Sequence, residues 1–151
     1  KLHEPLESFR LDGGEFWRGV GTIELLNENR EMIALRVSRR TLNERIEEAV
    51  RRIKAKADQF TIISGFISPG ERAIFDALSA NPNGRMIKVL PFSMAHDYTP
   101  PSSLLPLINE GRLAIIARGN SPEELSRKAC LDLNAAIIPI AEKAGRAVYL
   151  V

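Results

Sequence analysis

The chain holds one cysteine among its 151 residues. Cys130 can therefore make no internal disulfide, and it falls in a helical pattern where a small buried hydrophobe fits. A reducing, cytoplasmic setting is the expectation. No apolar run approaches the roughly 20 residues of a membrane-spanning helix, so no membrane association is expected. Histidine is scarce too: the two present, His3 and His96, stand far apart and outside any H-E-x-x-H spacing, so no zinc site is indicated. The phosphate loop G-x-x-x-x-G-K-[ST] is missing, which removes support for nucleoside triphosphate hydrolysis of that kind. "ISGF" departs from the G-x-S-x-G nucleophile elbow, and Ser64 has no identifiable base partner. The glycines of "GGEFWRGVG" precede the first expected strand instead of following one, the wrong context for a dinucleotide fingerprint. No catalytic residue, metal or cofactor is assigned on these grounds, and a binding role is expected in place of an enzymatic one. Charge of one sign is lacking too: 21 basic against 19 acidic side chains leave a net +2, which permits a polyanionic partner without demanding one. The amino terminus has neither Met nor the apolar core of a secretory signal and is expected to be trimmed, or excised from something longer.

What is present is an ordinary globular composition, 44% hydrophobic and 26% charged, in a length that supports one sizeable core. Short apolar runs alternate with longer periodic segments, the rhythm of β-α-β units. The strand candidates are "MIALRV" (32–37), "FTIIS" (60–64), "MIKVL" (86–90), "RLAIIA" (112–117) and "AVYLV" (147–151). Between the first two, Ile46, Ala49, Val50, Ile53 and Ala57 recur at helical spacing behind a capping box of Thr41 and Glu44. After the second, Ser68, Pro69 and Glu71 read as N-cap, first helical proline and N3 acid, with Ala73, Ile74, Ala77 and Leu78 as the apolar face. "NPNG" (81–84) ends that helix, the stretch 91–103 reads as a long loop, and "LLPLINEG" reads as a short helix closed by Gly111. Ser121, Pro122 and Glu124 repeat the cap for a last helix through about Lys143, which Pro139 should kink. Strands apolar on both faces and separated by amphipathic helices predict an α/β fold: a doubly wound, mainly parallel five-stranded sheet with helices on both faces, in order 3-2-1-4-5. Residues 1–26 are expected as a lead-in segment and 27–151 as one Rossmann-like domain.

In such a sheet the loops after the carboxyl ends of the strands share one edge, and ligands sit where the strand order reverses. Three of these loops offer donors for an anion. Ser38, Arg39 and Arg40 follow the first strand and lead into a helix N-terminus. Gly65, Ser68 and Gly70 follow the second, where a glycine allows close approach. Arg118, Gly119 and Asn120 follow the fourth. These are donors without a reactive centre, and a phosphate or nucleic-acid backbone is the natural guest. Bland readings stand beside them: Ser-Pro-x-Glu is an ordinary helix start, Gly65 suits tight helix–strand packing, and the helix carrying Arg45, Arg51 and Arg52 also carries Glu44, Glu47 and Glu48, a solvated face. Phe66, Phe92 and Tyr98 are the aromatics expected at the edge to stack bases, each equally suited to packing.

The order of motifs resembles the Rossmann-like domain of DNA-processing protein A. "WRGVGTIELLNENREMIALRVSRR" is similar to that family's Y-x-x-G-x-x-x-L-L segment and the strand ending in V-G-S-R. "IISGFISPGE" is similar to its V-S-G-x-A-x-G-I-D signature, one helix further on. The resemblance sets Ser38 and Arg39 on the family's Ser-Arg, Ser64 and Gly65 on its Ser-Gly, and Glu71 on its closing acid. Val37 stands where the family has the glycine of G-S-R, Pro69 and Gly70 replace Gly-Ile, and Ser68 stands where an arginine is usual. The family's later R-R-N-R is echoed by Arg127 and Lys128, with Asn134 further along. The wider group includes nucleotide-sensing domains and lysine-decarboxylase-like phosphoribohydrolases, whose P-G-G-x-G-T is absent here. The resemblance implies single-stranded DNA binding, assistance in loading a recombinase, and a homodimer. The alternatives left open are a small nucleotide or nucleotide-sugar pocket, and a protein-interaction scaffold that has lost its ligand.

Overall fold

All five apolar runs become parallel strands of a single sheet. The computed structural model describes residues 7–10, 16–28, 30–119, 128, 135, 137 and 146–150. Its elements are β1 (Glu7–Arg10), β2 (Phe16–Gly21), a 3-10 turn (Ile23–Asn27), β3 (Glu31–Val37), α1 (Asn43–Ala55), β4 (Phe60–Ser64), α2 (Pro69–Ala80), β5 (Arg85–Val89), α3 (Leu105–Asn109), β6 (Leu113–Arg118) and β7 (Arg146–Leu150). They form a seven-stranded mixed sheet in the order β1-β2-β6-β5-β4-β3-β7. The strands from β6 to β7 are parallel, while β2 runs antiparallel to β6 and β1 antiparallel to β2.

The α/β class, the mainly parallel core and the Rossmann-like layering follow the sequence, but the expected order 3-2-1-4-5 does not hold. In the numbering of the five apolar runs, the order is 4-3-2-1-5. The three connections from β3 to β6 step in one direction. Right-handed crossovers therefore lay α1, α2 and α3 on the same face. Ile74 and Leu78 of α2 and Leu107 and Ile108 of α3 are buried there with Ile33, Leu35, Ile62, Met86 and Ile115, and Ile46, Ala49, Val50 and Ile53 of α1 pack against them. The expected order would have sent segment 90–112 across the opposite face. Its Leu90, Met94, Leu107 and Ile108 join the first core instead. The reversal comes after β6, where the chain returns to the far side of β3 to form β7. The opposite face buries Met32, Ala34, Ile63, Ile87 and Ile116 with Trp17, Leu25 and Ile137.

Two further departures concern chain ends and caps. Residues 7–10 and 16–21, expected within a lead-in, are strands of the same sheet, and Trp17 and Leu25 belong to the second core. α1 does not start with a Thr41–Glu44 box: Leu42 is its N-cap, with no side-chain cap bond. Thr41 is drawn one residue upstream into a turn, its N–H donating to Ser38 O at 3.1 Å, so Glu44 lies out of capping register. α2 follows expectation. The Ser68 side chain accepts from the Glu71 N–H, Glu71 answers on the Ser68 N–H, and Pro69 opens the helix. At the other end of α2, buried Arg112 adds side-chain donors to carbonyls of the last helical turn and the turn that follows it. Its Nη1 donates to Leu78 O at 3.2 Å and Asn81 O at 2.7 Å, and its Nη2 to Ser79 O at 2.9 Å. The helix expected from Ser121 lies outside the described residues, apart from helical positions 128, 135 and 137.

Candidate functional site

The carboxyl ends of β7, β3, β4, β5 and β6 form one rim of the sheet, and the antiparallel β2 brings its first residue to the same rim, with Trp17 opposite Arg118. The altered strand order decides which loops are neighbours there. β3 and β6 are separated by β4 and β5, so the loop with Arg39 and Arg40 stands three strand spacings, about 14 Å, from the loop with Arg118. The reversal point lies between β3 and β7, and Ser38, Arg39 and Arg40 follow β3 there.

The β3–β4 part of the rim supplies its own anion. Glu71 is 5% exposed. Its Oε2 accepts from the Val37 N–H at 2.9 Å, and its Oε1 accepts from the N–H groups of Ile67 at 2.9 Å and Ser68 at 3.3 Å. The end of β3 and the N-terminus of α2 would each attract a phosphate through backbone N–H groups and the helix dipole. Here those donors converge on a side-chain carboxylate instead. Phe66 is buried at φ 51°, a left-handed conformation uncommon for a bulky residue. It turns the chain sharply after Gly65, just ahead of the two N–H groups that meet Glu71. Its ring packs edge-on against Phe75 at 4.9 Å between centroids.

Val37 completes the closure. A Cβ on Gly70 would overlap the Val37 Cγ1 methyl, so the valine at the end of β3 fills the space the glycine leaves. Of the residues predicted here, Gly65 and Gly70 are buried, and the Ser68 hydroxyl is committed to its cap. Ser38 Oγ accepts from the Arg40 N–H at 3.1 Å. Arg39 and Arg40 are exposed at the mouth of this turn, directly before an α1 N-terminus that no side chain caps.

Further along the rim the character changes. Lys88, near the end of β5, is half-buried. Burial, reinforced by the nearby Arg72 guanidinium, holds it below the ordinary lysine value. Burial also pushes the Tyr98 phenol up, and Tyr98 and Phe92 pack against the first core. At the corner of β5, β6 and β2 a cleft of about 520 Å³ opens between Phe16, Arg18, Ser93, Met94, Ala95, His96, Arg118 and Gly119. Arg18 ties β2 to the loop after β5. Its Nη1 donates to Met94 O at 2.9 Å, and its Nη2 lies 3.4 Å from His96 Nε2. The Gly119 N–H donates to Phe16 O at 2.7 Å. A Cβ on Gly119 would stand 2.5 Å from Phe16 Cδ2, so the glycine exists to seat that ring.

The predicted residues thus fall into two groups. Ser38, Arg39, Arg40, Gly65, Ser68 and Gly70 gather at β3 and β4, and Arg118 stands apart at the cleft. Asn120 and Arg127 lie outside the described residues, and Lys128 is exposed on a helical position. Of the aromatics expected to stack, Phe66 is 4% exposed and spent on packing. Sequence reasoning assigns no binding role to Phe16, Arg18 or His96. Phe16 is one of two large hydrophobic side chains exposed among the described residues. The usable signal was the pair Phe16–Trp17, one ring outward and one inward as on a strand. The glycines in "FWRGVG" masked that alternation.

No protein-family profile matches the chain, and no curated protein matches it. Solved structures do. DNA processing protein A from Streptococcus pneumoniae superposes with a TM-score of 0.63 at 15% identity, over 97% of this chain and 53% of that one. DNA processing protein A from Helicobacter pylori, studied for its single-stranded DNA binding mode, superposes with a TM-score of 0.65 at 14% identity, over 97% of this chain and 69% of that one. The chain has a DNA processing protein A-like, Rossmann-type fold and spans about half the length of the first of these neighbours.

Proposed function

We propose that this chain is a non-catalytic module that binds single-stranded DNA through its phosphates along the carboxyl rim of the sheet. The observation that carries the reading is the row of cationic residues at that rim: Arg39 and Arg40 after β3, Lys88 near the end of β5, and Arg118 at the end of β6. From β3 to β2 the rim runs four strand spacings, about 19 Å, the dimension of an extended track and not of a point site. The likeness in fold to a protein whose single-stranded DNA binding has been described supports the same reading. So does the closure at Glu71. With the backbone donors of β3 and α2 already satisfied, phosphates are left to flexible guanidinium and ammonium groups, which read charge and not sequence. Ser38, Ser68, Gly65 and Gly70 then shape the turns that present Arg39 and Arg40, and Asn120, Arg127 and Lys128 belong to the same proposal as further phosphate-binding residues. Recombinase loading and a homodimeric state belong to the same proposal.

The test is a titration of labelled oligothymidylate at several salt concentrations. For single strands log K falls with log salt by about 0.7 per neutralised phosphate. Arg39→Ala and Arg40→Ala should each weaken binding and flatten that slope by about 0.7. No binding at low salt refutes the reading. Binding unchanged in both variants removes these arginines from it. A second reading, a small-nucleotide pocket, is favoured by the volume of the cleft, about 520 Å³, which falls within the range of small-molecule sites. It predicts that a mononucleotide raises the melting temperature, with little dependence on salt.

A further inference from the structure

We infer that the cleft at the β5–β6–β2 corner is a base-stacking pocket, in which one unstacked base of a DNA single strand lies against the Phe16 ring between cationic walls. The inference rests on the single-stranded DNA reading above and adds to it a site that reads the base and not the phosphate.

Phe16 is 36% exposed, whereas Trp17, Phe60 and Phe66 are buried at 2%, 5% and 4%, and Phe75, Phe92 and Tyr98 pack against the first core. Phe16 is also fixed in place. The backbone bond from Gly119 to Phe16 O, at 2.7 Å, ties down the strand end, and the missing Cβ of Gly119 lets the ring edge lie against that residue. Phe16 also lines the cleft. A pre-positioned aromatic loses little entropy when a base stacks on it.

The surroundings select a base over an aliphatic or protein guest. Arg18 and Arg118 line the same cleft, with His96 beside Arg18. The alternation of β2 sends Arg18 to the face of Val20, and that of β6 sends Arg118 to the face of Ile116, so the two cations flank the strand ends on opposite sides. A base on Phe16 would carry its neighbouring phosphates toward these two groups. The volume, about 520 Å³, accommodates a nucleoside. One exposed ring is far too little apolar surface for a stable protein interface.

The test compares the affinity of the whole chain for labelled oligothymidylate and for an abasic oligomer of the same length and charge. Stacking of a base is worth about 5- to 150-fold in affinity, and wild type should prefer thymidylate by a factor in that range. Phe16→Ala should abolish the preference by weakening thymidylate binding alone, with the salt slope unchanged, and Phe16→Tyr should retain it. Gly119→Ala keeps the ring but displaces it, and should lower the preference in a chain whose ring chemistry is intact. Equal affinity of wild type for the two oligomers overturns the pocket while leaving the phosphate track standing. A Phe16→Ala variant that weakens both oligomers equally does the same. Failure of both oligomers to bind at low salt overturns the pocket together with the track.

Discussion

Removing the Glu71 carboxylate is the most direct way to ask whether the rim is held shut from within. Glu71→Ala leaves three backbone donors, the N–H groups of Val37, Ile67 and Ser68, without their acceptor. A buried donor left unsatisfied costs about 1–3 kcal/mol. Val37 and Ser68 are buried and Ile67 is half-buried, so water reaches the Ile67 N–H and reduces its share. The sum expected over the three donors, of which the Ser68 N–H is the reciprocal cap bond at the start of α2, is about 3–5 kcal/mol. That is a large share of a domain stability of about 5–15 kcal/mol. Glu71→Gln keeps the test readable. Its amide oxygen still accepts from Ile67 and Ser68, while its NH2 meets the Val37 N–H donor to donor, a loss of about 1–3 kcal/mol. Urea unfolding should therefore rank wild type above Gln above Ala in midpoint, with similar m values. A Glu71→Ala protein within about 0.5 kcal/mol of wild type, the scatter of ordinary surface changes, would refute the reasoning. So would Gln and Ala variants of equal stability.

Gly70→Ala should destabilise by about 1–3 kcal/mol through overpacking on Val37. In a Val37→Ala background the same change should cost less, giving a coupling of at least about 0.5 kcal/mol in a double-mutant cycle, and additivity would show that the two do not share that space. Lys88 has a folded-state pKa below its unfolded value, so the unfolded chain binds more protons across that window and stability rises with pH there. Lys88→Met should accordingly raise the urea midpoint at neutral pH, with a lead that shrinks as pH climbs through the folded-state value. A lead that is constant with pH would contradict the assignment. The same variant should weaken oligothymidylate binding and flatten its salt slope, because it removes a cation from the rim.

The sequence by itself determined the elements and their local chemistry. Residues 60–64 carry apolar side chains on both sides of the pleat, Phe60 and Ile62 on one and Ile63 on the other, because both faces of β4 are covered, and Ser68, Pro69 and Glu71 form the start of α2 by rules that act within four residues. Short-range physics of this kind is written in adjacent letters. Thr41 shows its limit: the cap moved by one residue once the turn from β3 drew its N–H to Ser38, a constraint set by where the strand ends.

What only the tertiary structure decided was which turns are neighbours. Whether segment 90–112 crosses one face or the other depends on where Leu90, Met94, Leu107 and Ile108 find a core, a long-range packing choice to which local periodicity is blind. That choice fixed the strand order, parted Arg118 from Arg39 and Arg40, and brought residues 16–18 against residues 93–96 and 118–119. It also set the partner of Glu71 across 34 positions of sequence. A carboxylate three residues into a helix reads as a cap wherever it occurs. Only the fold shows that it also closes the end of β3, because a hydrogen bond depends on distance in space and the sequence records only distance along the chain.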